Sequence, residues 1–277
     1  MSEVMQLCKE YNPKRAGFPV FVSEKLDGVP GVYTKHKMVS RQNKPLLGVQ
    51  WIHDRLAPYI PSNRTVIGEH YEKGQPFKYI SGRVRAAEVY EEAELYLFDF
   101  IEDGYESTAL VSRYEQLKQW HFFLPQQIRD FVHVVQQTVC SSDTCVQQFV
   151  QQLTPGVHEG AVVRSCSGAF TLTRSWGSQK IVFDNLLDLR VVNYEEAVNQ
   201  YNEPMQMIGA LWVMHNGTAV KVGAGKMSHT ERKVVYANWQ EYLGRICKVK
   251  AKVDPTYNKL RQATFQAWHD DKDVPDA

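Results

Sequence analysis

The stretch PVFVSEKLDG, residues 19–28, sets an apolar, β-branched run against a lysine and a glycine-bearing turn. Val20, Phe21 and Val22 favour a strand, and Gly28 lets the chain turn sharply after it. Lys25 then stands at a strand end, where partial desolvation and neighbouring cations lower an amine's pKa and free it as a nucleophile. Asp27, two residues on, could hold a metal or a hydroxyl beside that amine. By average residue usage Lys-x-Asp-Gly arises by chance in roughly one chain in twenty of this length, so alone it reads as a surface turn.

Working outward, GVYTK (31–35), TVIGEHY (65–71) and ELYLFDFI (94–101) alternate or run apolar between turn residues and predict strands. SRYEQLKQW (112–120) predicts a helix that Ser112 caps with Glu115 three residues on. Residues 126–153, rich in glutamine and apolar side chains, predict more helix, and EGAVVRS (159–165), TLTRS (171–175) and QKIVF (179–183) return to strand. Beyond residue 185 the strands are DLRVVNYEEAV (188–198), MIGALWVMHNGTAVKVG (207–223), RICKVKAKV (245–253) and ATFQAWHD (263–270). Asn216-Gly217 sits inside the second of these as a hairpin turn. One helix, HTERKVVYANWQEYL (229–243), interrupts the series, and strands around a single helix fit a small OB-type barrel or a fragment of a sandwich.

At 277 residues the chain has room for two domains, and 43% hydrophobic with 23% charged residues is globular composition. No apolar run approaches the roughly 20 residues of a membrane span, and the N-terminus lacks a secretory pattern. Five cysteines without a CxxC pair suggest neither zinc nor a disulfide framework and read as reduced thiols of the cytoplasm. A net charge of +1 excludes gripping nucleic acid by bulk charge, leaving local patches such as Lys221–Lys252. Glu69, Asp99 and Glu159 lie on apolar strands, where a carboxylate needs a partner; Arg41, Arg164, Arg174 and Lys180 recur in the same way. Carboxylates and cations mixed on apolar strands suit a cation and a polyphosphate.

In order, EKLDG, SRQNKPL (40–46), GEHY (68–71), LYLFDFI (95–101), HEGAVVRS (158–165), TLTRSWGSQKIV (171–182) and LRQATFQAWHDDKD (260–273) resemble the motifs of the covalent nucleotidyltransferases. The resemblance is greatest to minimal ATP-dependent DNA ligases of viruses and bacteriophages, and spans nearly the whole chain. It implies an α+β architecture: an adenylation domain of antiparallel sheets flanked by helices over residues 1–185, then an OB-fold barrel over 186–277. It implies a monomeric enzyme sealing nicked double-stranded DNA with ATP and Mg2+ or Mn2+, in the cytoplasm or a viral host's cytoplasm. Lys25 would accept AMP. ATP would be bound by Glu24, Asp27, Arg41, Glu69, Phe98 (stacked on adenine), Glu159 and Lys180 (on the α-phosphate), with Asp271 and Lys272 on the pyrophosphate. Asp27, Glu69 and Glu159 would hold metal, and Arg41, Arg174, Lys221, Lys226, Lys248 and Lys250 would contact DNA.

Three positions depart from the ligase pattern. Pro30 stands where ligases have arginine, Val182 where they have a second lysine, and His269 where the last motif opens with arginine. Pro30 and the DDK ending resemble mRNA capping guanylyltransferases. RNA ligase activity is a nearer rival, and a binding module with a decayed catalytic site is the reading from a different class.

Overall fold

The computed structural model describes residues 4–253, 259–269, 272, 274 and 275. The chain forms two compact units that divide between Val182 and Phe183. Among the described residues no helix is long and apolar enough to cross a membrane.

The strands of the first unit are β1 (Cys8–Glu10), β2 (Val20–Glu24), β3 (Val29–Tyr33), β4 (Met38–Ser40), β5 (Arg64–Tyr71), β6 (Glu94–Glu102), β7 (Val132–Val134), β8 (Thr138–Cys140), β9 (Gly160–Ser165) and β10 (Ser175–Val182). Its helices are α1 (Gln50–Leu56), α2 (Phe77–Arg85), α3 (Leu110–Phe122), α4 (Gln126–Arg129) and α5 (Asp143–Gln151). They form two five-stranded sheets, ordered β1-β10-β9-β2-β8 and β4-β3-β5-β6-β7. Both are antiparallel except for one parallel pair each, β1 with β10 and β6 with β7.

Alternation along the strands decides which side chains meet. On the first sheet, Val20, Val22, Ala161 and Val163 enter a core with Val146 of α5. The opposite face carries Ser23, Val162 and Lys180 in register, with Phe21 opposite Arg164. On the second sheet, Val29, Tyr33, Val66, Leu95 and Leu97 enter the main core with Ile52 of α1, Ile80 of α2 and Leu117 of α3. Pro30, Glu69 and Tyr96 lie in register on its other face.

Several local expectations differ. Residues 126–153 are not continuous helix: β-branched Val132, Val134, Thr138 and Val139 fit pleated surfaces and pair with β6 and β2, leaving helix only at the ends. Ser112 does not cap α3, which starts at Leu110 because the amides of Leu110 and Val111 find the carbonyls of Gly168 (3.0 Å) and Cys166 (2.9 Å). Of TLTRS only Ser175 is in a strand. Cys140 and Cys145 form a disulfide, against the reading of all five cysteines as thiols. β8 ends where α5 begins, which brings the two Cα atoms to 5.4 Å, within bridging range. That bond removes the cysteine argument for a reducing compartment.

The second unit holds β11 (Asn185–Val198), β12 (Pro204–His215), β13 (Thr218–Gly223), α6 (His229–Ala237), α7 (Trp239–Tyr242), β14 (Ile246–Val253) and β15 (Leu260–Trp268). The strands close into a barrel, β11-β12-β13-β15-β14, which removes free sheet edges. Leu189, Val191, Leu211, Val213, Val249 and Phe265 fill it. Asn216 and Gly217 both take positive φ (46° and 72°) in the two-residue turn between β12 and β13. The single helix expected over 229–243 is broken at Asn238 into α6 and α7.

Candidate active site

Lys25 follows β2 directly, and its amide donates to the Gly160 carbonyl at 2.8 Å, tying the loop to the first residue of β9. This places its amine 2.6 Å from Oε2 of Glu159, with the Lys25 side chain 26% exposed and that of Glu159 7%. Burial lowers the amine's pKa, but the carboxylates of Glu159 and Glu69 outweigh it and the net shift is upward. The expectation of an amine freed by neighbouring cations is therefore reversed: acids surround it and hold its proton.

Gly28 sets the distance from this loop to β5. A Cβ there would stand 2.2 Å from the His70 carbonyl oxygen and 2.9 Å from Cγ of Glu69. His70 anchors the same region from the buried face. Its Nδ1 donates to the Val29 carbonyl at 2.8 Å and its Nε2 accepts from the Tyr33 hydroxyl at 2.5 Å. Burial lowers its pKa to about 4, so it stays neutral. Pro30 stands past the end of β4, which stops opposite Gly31, so Pro30 pairs with β5 alone at the sheet margin, where proline is tolerated.

Glu69 is pushed up to about 8 by burial; Lys25 opposes that rise, Glu159 and Asp27 reinforce it, and Arg41 opposes it. Lys25, Asp27, Arg41, Glu69 and Glu159 thus form one electrostatic cluster. Glu24 acts on Tyr71 and Tyr96 beside it. Lys180 extends from β10 on the Ser23–Val162–Lys180 row, its amine 3.2 Å from Oε1 of Glu10. Phe98 is half-buried, packs against Val32, Ile67 and Ile101, and has the Arg164 guanidinium 5.2 Å from its ring centre. Arg164 also donates to the Phe98 carbonyl at 3.1 Å, joining the two sheets.

The three carboxylates proposed for metal supply only hard oxygen donors. Among the described residues no three acidic, histidine or cysteine side chains converge as a ready-made metal centre. That arrangement suits magnesium or manganese, which bind through one or two carboxylates and complete their shell with water and substrate phosphate.

Asp99 lies apart from the cluster. It is buried against Arg113, with Nε–Oδ1 at 2.7 Å and Nη2–Oδ2 at 3.1 Å, and Arg113 also donates to the carbonyls of Thr108 and Gly168. The cover that Arg164 forms over Phe98 and the pairing of Glu10 with Lys180 were not legible from the sequence. Helical or strand periodicity gives the face of a side chain but not its partner across the fold.

Other proposed residues lie elsewhere. Arg174 is exposed and donates to the Cys8 carbonyl at 2.9 Å. In the barrel, Lys221 pairs with Glu195 (2.7 Å) and Lys250 with Asp184 (2.8 Å), while Lys226 is exposed and Lys248 half-buried. Asp188 accepts from His269 at 2.8 Å and Lys272 at 2.6 Å. Asp271 lies outside the described residues.

No protein-family model matches the chain. It is 23% identical over 206 residues to a DNA ligase of Haemophilus influenzae, covering 74% of this chain and 72% of that one. A solved Lig E DNA ligase superposes with a TM-score of 0.78 at 21% identity, over 97% of this chain and all of that one. The bacteriophage T7 ATP-dependent DNA ligase, solved with ATP, gives 0.57 at 14% identity, over 96% and 98%. The fold, two five-stranded sheets with flanking helices followed by a closed five-stranded barrel, is thus shared with these DNA ligases. In sequence and fold the chain is similar to these DNA ligases.

Proposed function

We propose that this chain is an ATP-dependent DNA ligase that seals a 3′-hydroxyl to a 5′-phosphate at a nick through a lysyl-AMP intermediate. The observation that carries the reading is the Lys25 amine, 2.6 Å from Glu159 on a loop fixed between β2 and the glycine that abuts β5. Glu159 is the nearest base for the amine's proton. The neutral amine attacks the α-phosphorus of ATP, forming a P–N bond and expelling pyrophosphate. The AMP then passes to the 5′-phosphate of nicked duplex, which regenerates the free lysine. Attack by the 3′-hydroxyl on that activated phosphate forms the phosphodiester and releases AMP.

Phe98, backed by Arg164, offers adenine a π face. Lys180 exchanges Glu10 for the α-phosphate, and Arg41 and Arg174 neutralise phosphates of the DNA strand. Carboxylates among Asp27, Glu69 and Glu159 would hold magnesium or manganese, which would supply charge neutralisation on the phosphate oxygens. The barrel lysines Lys221, Lys226, Lys248 and Lys250 hold the duplex through its backbone.

The test is incubation with α-labelled ATP. A labelled adduct should form on the wild type, vanish in Lys25→Ala, and be discharged by nicked duplex DNA. Equal labelling of Lys25→Ala would remove the nucleophile assignment. Labelling by GTP in place of ATP would move the chain to the capping enzymes, and preference for nicked RNA to the RNA ligases.

A further inference from the structure

A second cationic surface stands at the β1–β10 edge of the first unit, outside the nucleotide cluster. The Trp176 ring, 37% exposed, has the Lys9 amine 4.3 Å from its centre and the Arg15 guanidinium at 5.8 Å. Lys14, beside Arg15 on the 3-10 turn Pro13–Arg15, and Arg174, two residues before Trp176, are both exposed.

This surface is built rather than incidental. Gln179 is 1% exposed, and its amide joins the two segments that carry the cations. It accepts from the Asn12 amide at 2.7 Å and donates to the carbonyls of Arg15 at 3.2 Å and Trp176 at 2.9 Å. The nearby acids have other partners: Glu10 is bound to Lys180 at 3.2 Å, and Asp143 accepts from Tyr11 at 2.7 Å. Among the described residues, Lys9, Lys14, Arg15 and Arg174 form no ion pair with a carboxylate.

Two cations over an exposed indole, with Lys14 and Arg174 on the same segments and none of the four paired with a carboxylate, leave uncompensated charge on a shaped surface. A row of phosphates compensates it, and the ring offers a stacking face beside them.

We propose that Lys9, Lys14, Arg15 and Trp176 extend the strand contact assigned to Arg174 into a backbone-binding surface for the duplex substrate on the adenylation unit, in addition to Arg41 and the barrel lysines. This inference rests on the ligase reading for the identity of its ligand. Its chemistry is nonetheless that of a phosphodiester strand.

The test is the affinity of the full chain for a fluorescent nicked duplex between 50 and 200 mM salt, without nucleotide. The double variant Lys14→Ala/Arg15→Ala should bind on the order of tenfold more weakly at the low-salt end, with the slope of log K against log salt reduced by about 1.8, two phosphate contacts' worth. Lys35→Ala/Lys37→Ala, exposed lysines in the turn between β3 and β4 of the same unit, should leave the slope unchanged. Unchanged affinity and slope in Lys14→Ala/Arg15→Ala, with lysyl-AMP forming as in the wild type to show an intact fold, overturns the proposal. Absence of lysyl-AMP from the wild type would overturn the ligase reading instead, while the duplex comparison, which needs no nucleotide, still decides this one.

Discussion

Lys25 and Lys250 each hold a carboxylate at less than 3 Å, Glu159 at 2.6 Å and Asp184 at 2.8 Å, yet the two pairs are different objects. In the first unit burial opposes the charge on Lys25, and two glutamates restore it. In the barrel the Lys250 side chain is 39% exposed, and water screens the pair. The difference teaches where an ion pair becomes chemistry: a partly dry pair with a second acid in range poises a proton, whereas a wet pair only tethers a side chain.

The sharpest way to break this comparison is a single methyl group. Gly28→Ala drives a Cβ into the His70 carbonyl, so the loop must shift; adduct formation should fall roughly 100-fold or more, as displaced reacting groups do. Gly217→Ala, in a barrel turn with nothing near its Cβ but φ at +72°, should cost about 1 kcal/mol in denaturant melts and leave labelling unchanged. Equal effects at the two sites would show that the Lys25 loop is not fixed by that contact.

Glu159→Gln removes a carboxylate that raises the Lys25 pKa. Because the attacking amine must be neutral, the rising limb of the adduct-formation pH profile should move to lower pH, alongside a reduced maximal rate from loss of the base. A limb that stays in place would mean that another group sets the profile.

The next effect is on stability. Glu69 has a folded-state pKa of about 8 against an ordinary 4.5, so the folded chain holds this proton more tightly than the unfolded one. Its contribution is present in full below about 4.5 and is lost as pH rises through 8. Glu69→Gln should therefore gain in melting temperature over the wild type between those limits and keep a constant difference above them. A constant difference at every pH would sink the assignment. Smallest of all, Asp184→Asn should change stability by less than about 1 kcal/mol, an amount that salt erases.

The parts of this contrast differ in how far they could be read from residues alone. Lys25, Glu69 and Glu159 were legible because each occupies a short motif whose order along the chain matches a known family, and the barrel followed from β-patterned runs around one helix. The proton balance was not legible. Whether acids or cations surround Lys25 depends on Glu159, 134 residues away, meeting it across β9. Asp99 looked like Glu69, an acid on an apolar strand, but a one-residue difference in strand phase turns it toward Arg113. Gln179 gave no signal because its three partners are backbone atoms.

The contact between Gly28 and the His70 carbonyl also constrains how the molecule could be remodelled. With no side chain between them, loop and strand share a boundary one hydrogen thick, so the amine and the Glu69 carboxyl are geared together. Under the proposed function, room for a bulkier nucleotide cannot then be gained between the Lys25 loop and the Glu69 strand, because nothing there remains to be trimmed.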